Sequence, residues 1–546
     1  MKKLFPLFLA IALLSCNTPP PAELIVKGKI WTGNPQQPWA EAMAIKADTI
    51  VAVGSASDIK KYEGEKTQII SAPADGLITP GFIDTHTHFV EGGFSLASVH
   101  LRDAKSKEEF IQRIADFVKT QKPGVWIIGG EWDHTNWGGE LPDRNWIDAV
   151  TPDNPVWLSR LDGHMSLANS AALKAANVTD AVKAVAGGEF VRDKKGRLTG
   201  VIKDNAKDLV DKAMPAPSAE AEDAALKLAM DYMASNGVTS AHSVYGFVDA
   251  FQRARASNKI ITRVYAGMML TRWKELKTKI DAEGRGDKWV KIGLLKAFTD
   301  GALGSHTAAM YKPFEDTPKD SGFFLTPPEE LYTMAKSADS AGLHVTIHAI
   351  GDKAINTLLN IYERIENENG PKDRRFRIEH VQHIAPADIP RFAKQKVIAS
   401  MQPYHAIDDG RWAEKVIGHE RAKTTYAFKS MLDAQAPLAF GSDWPVAPAT
   451  PLEGIYAAVT RRTLDDKNPD GWFPEQKISV EDALKAYTKV AAYASFDENI
   501  KGSLEPGKLA DFVVLEKDIT NIDPVKIRKV KVLKTVVGGR IVFEKR

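Results

Sequence analysis

Apolar runs of strand length alternate with helical stretches over most of the chain. Eight such runs stand out: Leu77 to Thr85, Val238 to Ser243, Thr262 to Met269, Ile292 to Phe298, His344 to Ala349, Arg377 to Val381, Val397 to Met401 and Leu438 to Gly441. Strands separated by helices favour a parallel sheet, and eight of them are what a closed (β/α)8 TIM barrel of the α/β class requires. The gap between the first two runs is too long for one helix. Residues 94–215 are therefore expected to form an inserted α/β subdomain over the active site, with its own strands near Val125 to Ile128 and Pro155 to Ser159.

Both ends have a different texture. Leu24-Ile25-Val26, Ala42 to Ile45 and Thr49 to Val53 are short apolar runs bounded by turn residues, and Asp511 to Leu515, Val530 to Val537 and Gly538 to Phe543 repeat that pattern. The expectation is a small composite β-sandwich domain from residues 23–76 and 500–546, with the barrel taking 77–93 and 216–499. Residues 1–16 read as a lipoprotein-type signal peptide. Lys2 and Lys3 precede an apolar stretch that is too short for a membrane span, and Leu13-Leu14-Ser15-Cys16 is similar to a bacterial lipobox. Cys16, the only cysteine, is the expected lipidation site, and residues 17–22 the tether. The body is then exported and anchored in the cell envelope. Asn17 after Cys16 favours the periplasmic face of the outer membrane.

Composition adds exclusions. Lysine plus arginine total 72 against 70 acidic residues in 546, and no basic run stands out, so nucleic acid has no electrostatic case as a partner.

The chemistry-bearing residues fall at strand ends. His86 and His88 close Pro80-Gly81-Phe82-Ile83-Asp84-Thr85-His86-Thr87-His88, two apart and so on one face, a spacing that lets both grip one metal. His348 and His380 each end a later strand, at the barrel face where active sites are built. Asp443 follows the last strand, where a carboxylate can bind metal and move a proton. Lys296 shares a strand face with Ile292, Leu294 and Phe298, which is costly for an isolated ammonium. A lowered pKa, carbamylation to a metal-bridging carboxylate and a salt bridge to Asp300 are the three ways out. His344 lies deeper in the barrel and His383 faces elsewhere, so both are expected to be structural or supporting.

With Leu161-Asp162-Gly163-His164, Asn169-Ser170, Asp300-Gly301-Ala302-Leu303-Gly304-Ser305, His348-Ala349-Ile350-Gly351-Asp352 and Glu505 to Phe512, the chain resembles the amidohydrolase superfamily. Within it, the chain is similar to the amidohydrolase family 3 branch of N-substituted formamide deformylases. The resemblance implies a metal-activated hydroxide. One metal would sit on His86, His88 and Asp443, and a second on His348 and His380, with carbamylated Lys296 between two zinc or other divalent ions; a single-metal version stays open. His164 would help hold the substrate carbonyl or tetrahedral intermediate, as a catalytic partner of Asp443. Asn169, His405, Trp132 and Trp444 are the expected substrate contacts, with Trp137 and Phe314 as further apolar walls. The family's usual arginine in the Gly-Ser-Arg-Thr-Ala-Ala segment is His306 here, which weakens any transfer of substrate preference. The expected activity is hydrolysis of a carbon–nitrogen bond in a small non-peptide, formamide-type or cyclic amide. The alternatives are an esterase or lactonase, or a dipeptidase, on the same site. A non-catalytic binding lipoprotein is the remote alternative, since no ligand position has been lost. A homodimer is an open expectation.

Overall fold

The computed structural model describes residues 19–545. The expected signal peptide, Cys16 and the start of the tether lie outside the described residues. Among those residues, no helix is long and apolar enough to cross a membrane.

Eight parallel strands form the centre: β1 (Phe82–Thr87), β2 (Val238–Ser243), β3 (Arg263–Met269), β4 (Val290–Phe298), β5 (His344–Ala349), β6 (Arg377–His380), β7 (Ile398–Met401) and β8 (Leu438–Phe440). They pair in chain order from β1 to β8. Outward side chains such as Phe82 join Leu226, Met230 and Met233 of the helix Ala219–Ser235 in one apolar layer. That helix starts at Ser218, whose side chain accepts from Ala221 N, and carries Glu220 and Glu222 in its first turn. It packs closely on the helix Phe89–Leu96 because Gly93 has no side chain; a Cβ there would lie 1.9 Å from the Ala225 carbonyl oxygen. Gly93→Ala would force these helices apart.

The seam between β1 and β8 is closed by loop backbone instead of a ladder. Asp443 N donates to His86 O at 2.7 Å and His88 N to Trp444 O at 2.8 Å. Buried Asp84 adds a clamp, its Oδ1 accepting from Ser442 N at 2.9 Å and His86 N at 3.2 Å. The closure therefore lies where His86, His88 and Asp443 converge.

Leu77–Pro80 corrects the expected first strand. It is a separate strand, antiparallel to Phe512–Leu515 in the terminal sheet. The chain breaks at Gly81, where a Cβ would come within 2.2 Å of Thr239 Oγ1. The terminal strands form one hydrogen-bonded sheet of eight strands, N-terminal and C-terminal segments together. Leu24–Trp31 is the joint: Leu24 to Lys27 pair with Gln68–Ser71, and after a register shift Ile30 pairs with Ile78. Gly28 makes the switch at φ 145°, since a Cβ there would meet Ala72 Cβ at 2.7 Å.

Between β1 and β2 the chain builds a six-stranded sheet with its own apolar cores. Its strands Val156–Arg160, Met165–Ala168 and Leu198–Asp204 carry His164 and its neighbours to the barrel mouth.

Candidate metal centre

His86, at the end of β1, is fully buried. Its Nδ1–H donates to Glu379 Oε2 at 2.6 Å, which leaves the Nε2 lone pair facing Lys296 Nζ at 3.2 Å and Asp443 Oδ1 at 3.3 Å. His88 Nε2 lies 3.1 Å from the same Asp443 oxygen. From β6, His380 donates Nδ1–H to Gln402 Oε1 at 2.8 Å. From β5, His348 donates Nε2–H to the Gly301 carbonyl at 2.9 Å. In the rings of His86, His380 and His348 one nitrogen is committed to an acceptor, which fixes the tautomer and leaves the other lone pair free for a cation. The rings are adjacent, with centroids 4.9 Å apart for His86 and His380 and 4.5 Å for His348 and His380.

The register explains how neighbouring strands deliver these groups. Lys296 sits opposite Thr346, Phe298 opposite His348, and Ala349 opposite His380. Glu379 and His380 are adjacent, so a straight strand would send them to opposite faces. The backbone turns left-handed at His380, φ 73°, and the histidine reaches the mouth while Glu379 stays in the barrel interior.

Burial sets the electrostatics. It lowers His86 to about 4 and Lys296 to about 8. It pushes against ionisation of Glu379 and Asp443 too. Arg377 and His86 outweigh it at Glu379, and the imidazoles of His86, His88 and His380 do so at Asp443, so both carboxylates are held well below their usual range. Imidazole nitrogens facing an ionised carboxylate are a donor set for a divalent ion. Ligand atoms of His86, His88 and Asp443 fall within 4.8 Å of one another, and so do those of His380, His405 and Asp443.

A model of the amidohydrolase family matches residues 74–543. The chain belongs to that family. Protein LONG AFTER FAR-RED 3 of Arabidopsis thaliana is 40% identical to it, over 95% of this chain and 91% of that one. N-substituted formamide deformylase of Arthrobacter pascens is 25% identical over 96% of this chain and 98% of that one. The crystal structure of an uncharacterized metal-dependent hydrolase from Pyrococcus horikoshii OT3 superimposes with a TM-score of 0.75 at 29% identity, covering 92% of this chain and 99% of that one. This amidohydrolase is a hydrolase that works with a divalent metal.

The expected ligands His86, His88, Lys296, His348, His380 and Asp443 all gather at the mouth of the amidohydrolase barrel. His405, expected as a substrate contact, stands among them. It lies on the helix Pro403–Asp409, its ring parallel to that of His380 at 6.3 Å, and its buried Nε2 has no hydrogen-bond partner. His164 arrives from the insertion, 5.7 Å from His348.

Three expected substrate contacts are spoken for elsewhere. Trp132 is fully buried in the core of the insertion, its indole N–H donating to Leu158 O at 2.7 Å. Asn169 is also buried. It caps the helix Ser170–Ala175, accepting from Ala172 N and Val156 N at 2.8 and 2.9 Å while donating to Thr151 Oγ1 and Asn154 O. No hydrogen-bonding group on it is left for a ligand. The Trp444 ring stacks on Tyr232 at 5.1 Å and fills the space above Gly92; its carbonyl closes the barrel. Trp137 and Phe314 likewise sit in apolar clusters. His306, at the divergent position, pairs with Asp316 at 3.0 Å.

Glu379 is the residue that motif reading missed. Besides His86 it holds Arg377 at 2.7 Å and accepts from Thr346 Oγ1. A buried acid beside a ligand histidine was the available signal.

Proposed function

We propose that this amidohydrolase cleaves the carbon–nitrogen bond of a small non-peptide amide, of N-substituted formamide or cyclic amide type. The observation that carries the reading is Asp443, whose carboxylate is common to both groups of ligand atoms at the barrel mouth. The likeness to N-substituted formamide deformylase supports the bond type.

His86, His88 and Asp443 would hold one ion. His380, with His348 or His405, would hold a second, and Lys296, 3.2 Å from His86 Nε2, would supply a further carboxylate ligand if carbamylated. A bound divalent ion supplies an activated water and polarises a carbonyl. Glu379 holds the His86 ring through Nδ1 and Gln402 holds His380 in the same way. Asp443 takes up the proton released by the attacking water on its carboxylate and passes it to the departing nitrogen. His164 faces the substrate oxygen from the insertion side.

The test is amine release from a panel of N-substituted formamides and cyclic amides by zinc-loaded enzyme, with esters and lactones as the comparison. Amine release that stops on chelation is expected; cleavage of esters alone would overturn the reading. Metal analysis of wild type and Lys296→Ala separates two ions per chain, falling in the variant, from one ion in both.

A further inference from the structure

We propose that Asp204 is a positioning residue that aims His164 at the reacting oxygen. The inference rests on the hydrolase reading above. His164 immediately precedes the strand Met165–Ala168, and Met165 pairs with Lys203 of Leu198–Asp204, so antiparallel register sets Asp204 beside His164. Asp204 N donates to His164 O at 2.9 Å, and its Oδ1 accepts from His164 Nδ1 at 2.7 Å. A carboxylate acceptor holds a hydrogen on Nδ1, and its charge favours a second on Nε2, the form of the ring that can donate to an oxygen. Among the described residues, no hydrogen bond is made to Nε2. The ring lies 5.7 Å from that of His348, and its Nδ1 comes within van der Waals reach, 3.4 Å, of where a Cβ on Gly301 would stand.

The backbone of Asp204 supplies the independent observation. Its φ of 45° and ψ of −130° belong to the first corner of a type II′ turn, a conformation that favours glycine and strains any other residue. The position nevertheless carries an aspartate, whose side chain is 1% exposed and spends one oxygen on His164. A turn selected for stability alone would take glycine. The strain is consistent with a carboxylate required for what it does to the imidazole. His164 comes from the insertion and meets the ring of His348, so holding it also fixes the insertion's chemical contribution to the site.

The experiment is a double-mutant cycle on the zinc-loaded full chain, comparing wild type, D204G, D204N, H164A and H164A/D204G by turnover of an N-substituted formamide and by Tm. D204G should lower kcat about 10- to 100-fold, with KM within about threefold and Tm no lower than wild type, because glycine relieves the turn. D204N keeps an acceptor oxygen and should fall between wild type and D204G. H164A/D204G should be no slower than H164A, since Asp204 acts only through that ring. Multiplying effects, or a D204G that loses Tm and keeps kcat, would overturn the proposal. If the wild type cleaves no formamide, the substrate reading has failed and inorganic phosphate becomes the oxyanion probe, titrated by calorimetry through the same cycle. Weaker phosphate binding in D204G and H164A alike, without addition in the double variant, sustains the positioning role. Equal binding by D204G, or no binding by wild type, ends it.

Discussion

Strand β5 carries two buried histidines on one face, and they differ in a way that separates scaffold from site. His344, at the barrel floor, meets the Tyr265 hydroxyl with Nδ1 at 3.2 Å and gives Nε2–H to Arg375 O at 2.7 Å. His348, two pleat repeats higher at the mouth, uses only Nε2. Burial depresses the pKa of both, His344 to about 3 and His348 well below the usual imidazole range. Neither burial nor a lowered pKa therefore marks a ligand in this barrel. Within this pair the difference lies in the second nitrogen: His344 commits both at the floor, and His348 keeps one lone pair over at the mouth.

The sharpest break in that contrast is at Asp443, the carboxylate common to both groups of ligand atoms. Asp443→Asn is expected to lower turnover by about 10²- to 10⁴-fold and to release metal. Assay and metal analysis on the same sample check this, and full turnover with bound metal would refute the proton-carrying role.

Next comes Glu379, which belongs to both regions. One oxygen holds His86 at the mouth and the other faces Arg377 below. Glu379→Gln should weaken zinc binding about 10- to 100-fold. It should also lower Tm, because breaking a buried ion pair costs about 3–5 kcal/mol. A fall in Tm with zinc affinity unchanged would make Glu379 a partner of Arg377 alone.

The pair on β5 gives a smaller, opposed result. His348→Ala should lose metal or turnover. His344→Phe should keep both and lose stability, since it strips buried partners from Tyr265 and Arg375 at about 1–3 kcal/mol per unsatisfied group. Metal loss in His344→Phe would erase the distinction drawn between floor and mouth.

The barrel and much of its chemistry were legible because strand period and residue type coincide. His86 and His88, two apart, must share a face, and His348 ends an apolar run where a barrel opens. Glu379 was hidden because straight-strand alternation puts it opposite His380, and only the left-handed turn at His380 brings both to one site. The split at Gly81 depends on Thr239, a residue far along the chain. His405 comes from a helix, outside the strand pattern. The family resemblance pointed to His164 and Asn169 together, but motif matching does not tell a side chain that meets the site from one that builds the element beside it.

Asn169 makes that last distinction measurable with the smallest expected effect on catalysis. Its oxygen caps the helix Ser170–Ala175 and receives Val156 N, while its nitrogen ties down Thr151 and Asn154. Asn169→Ala removes an N-cap, about 0.5–2 kcal/mol, and leaves buried partners unmatched, so Tm should fall by several degrees. Because all its bonds run within the insertion, kcat and KM below the melting range should stay within about twofold. A rise in KM with unchanged Tm would return Asn169 to the substrate pocket. A fall in Tm alone would confirm that the insertion reaches the chemistry through His164, and that Asn169 serves it only by keeping the sheet in place.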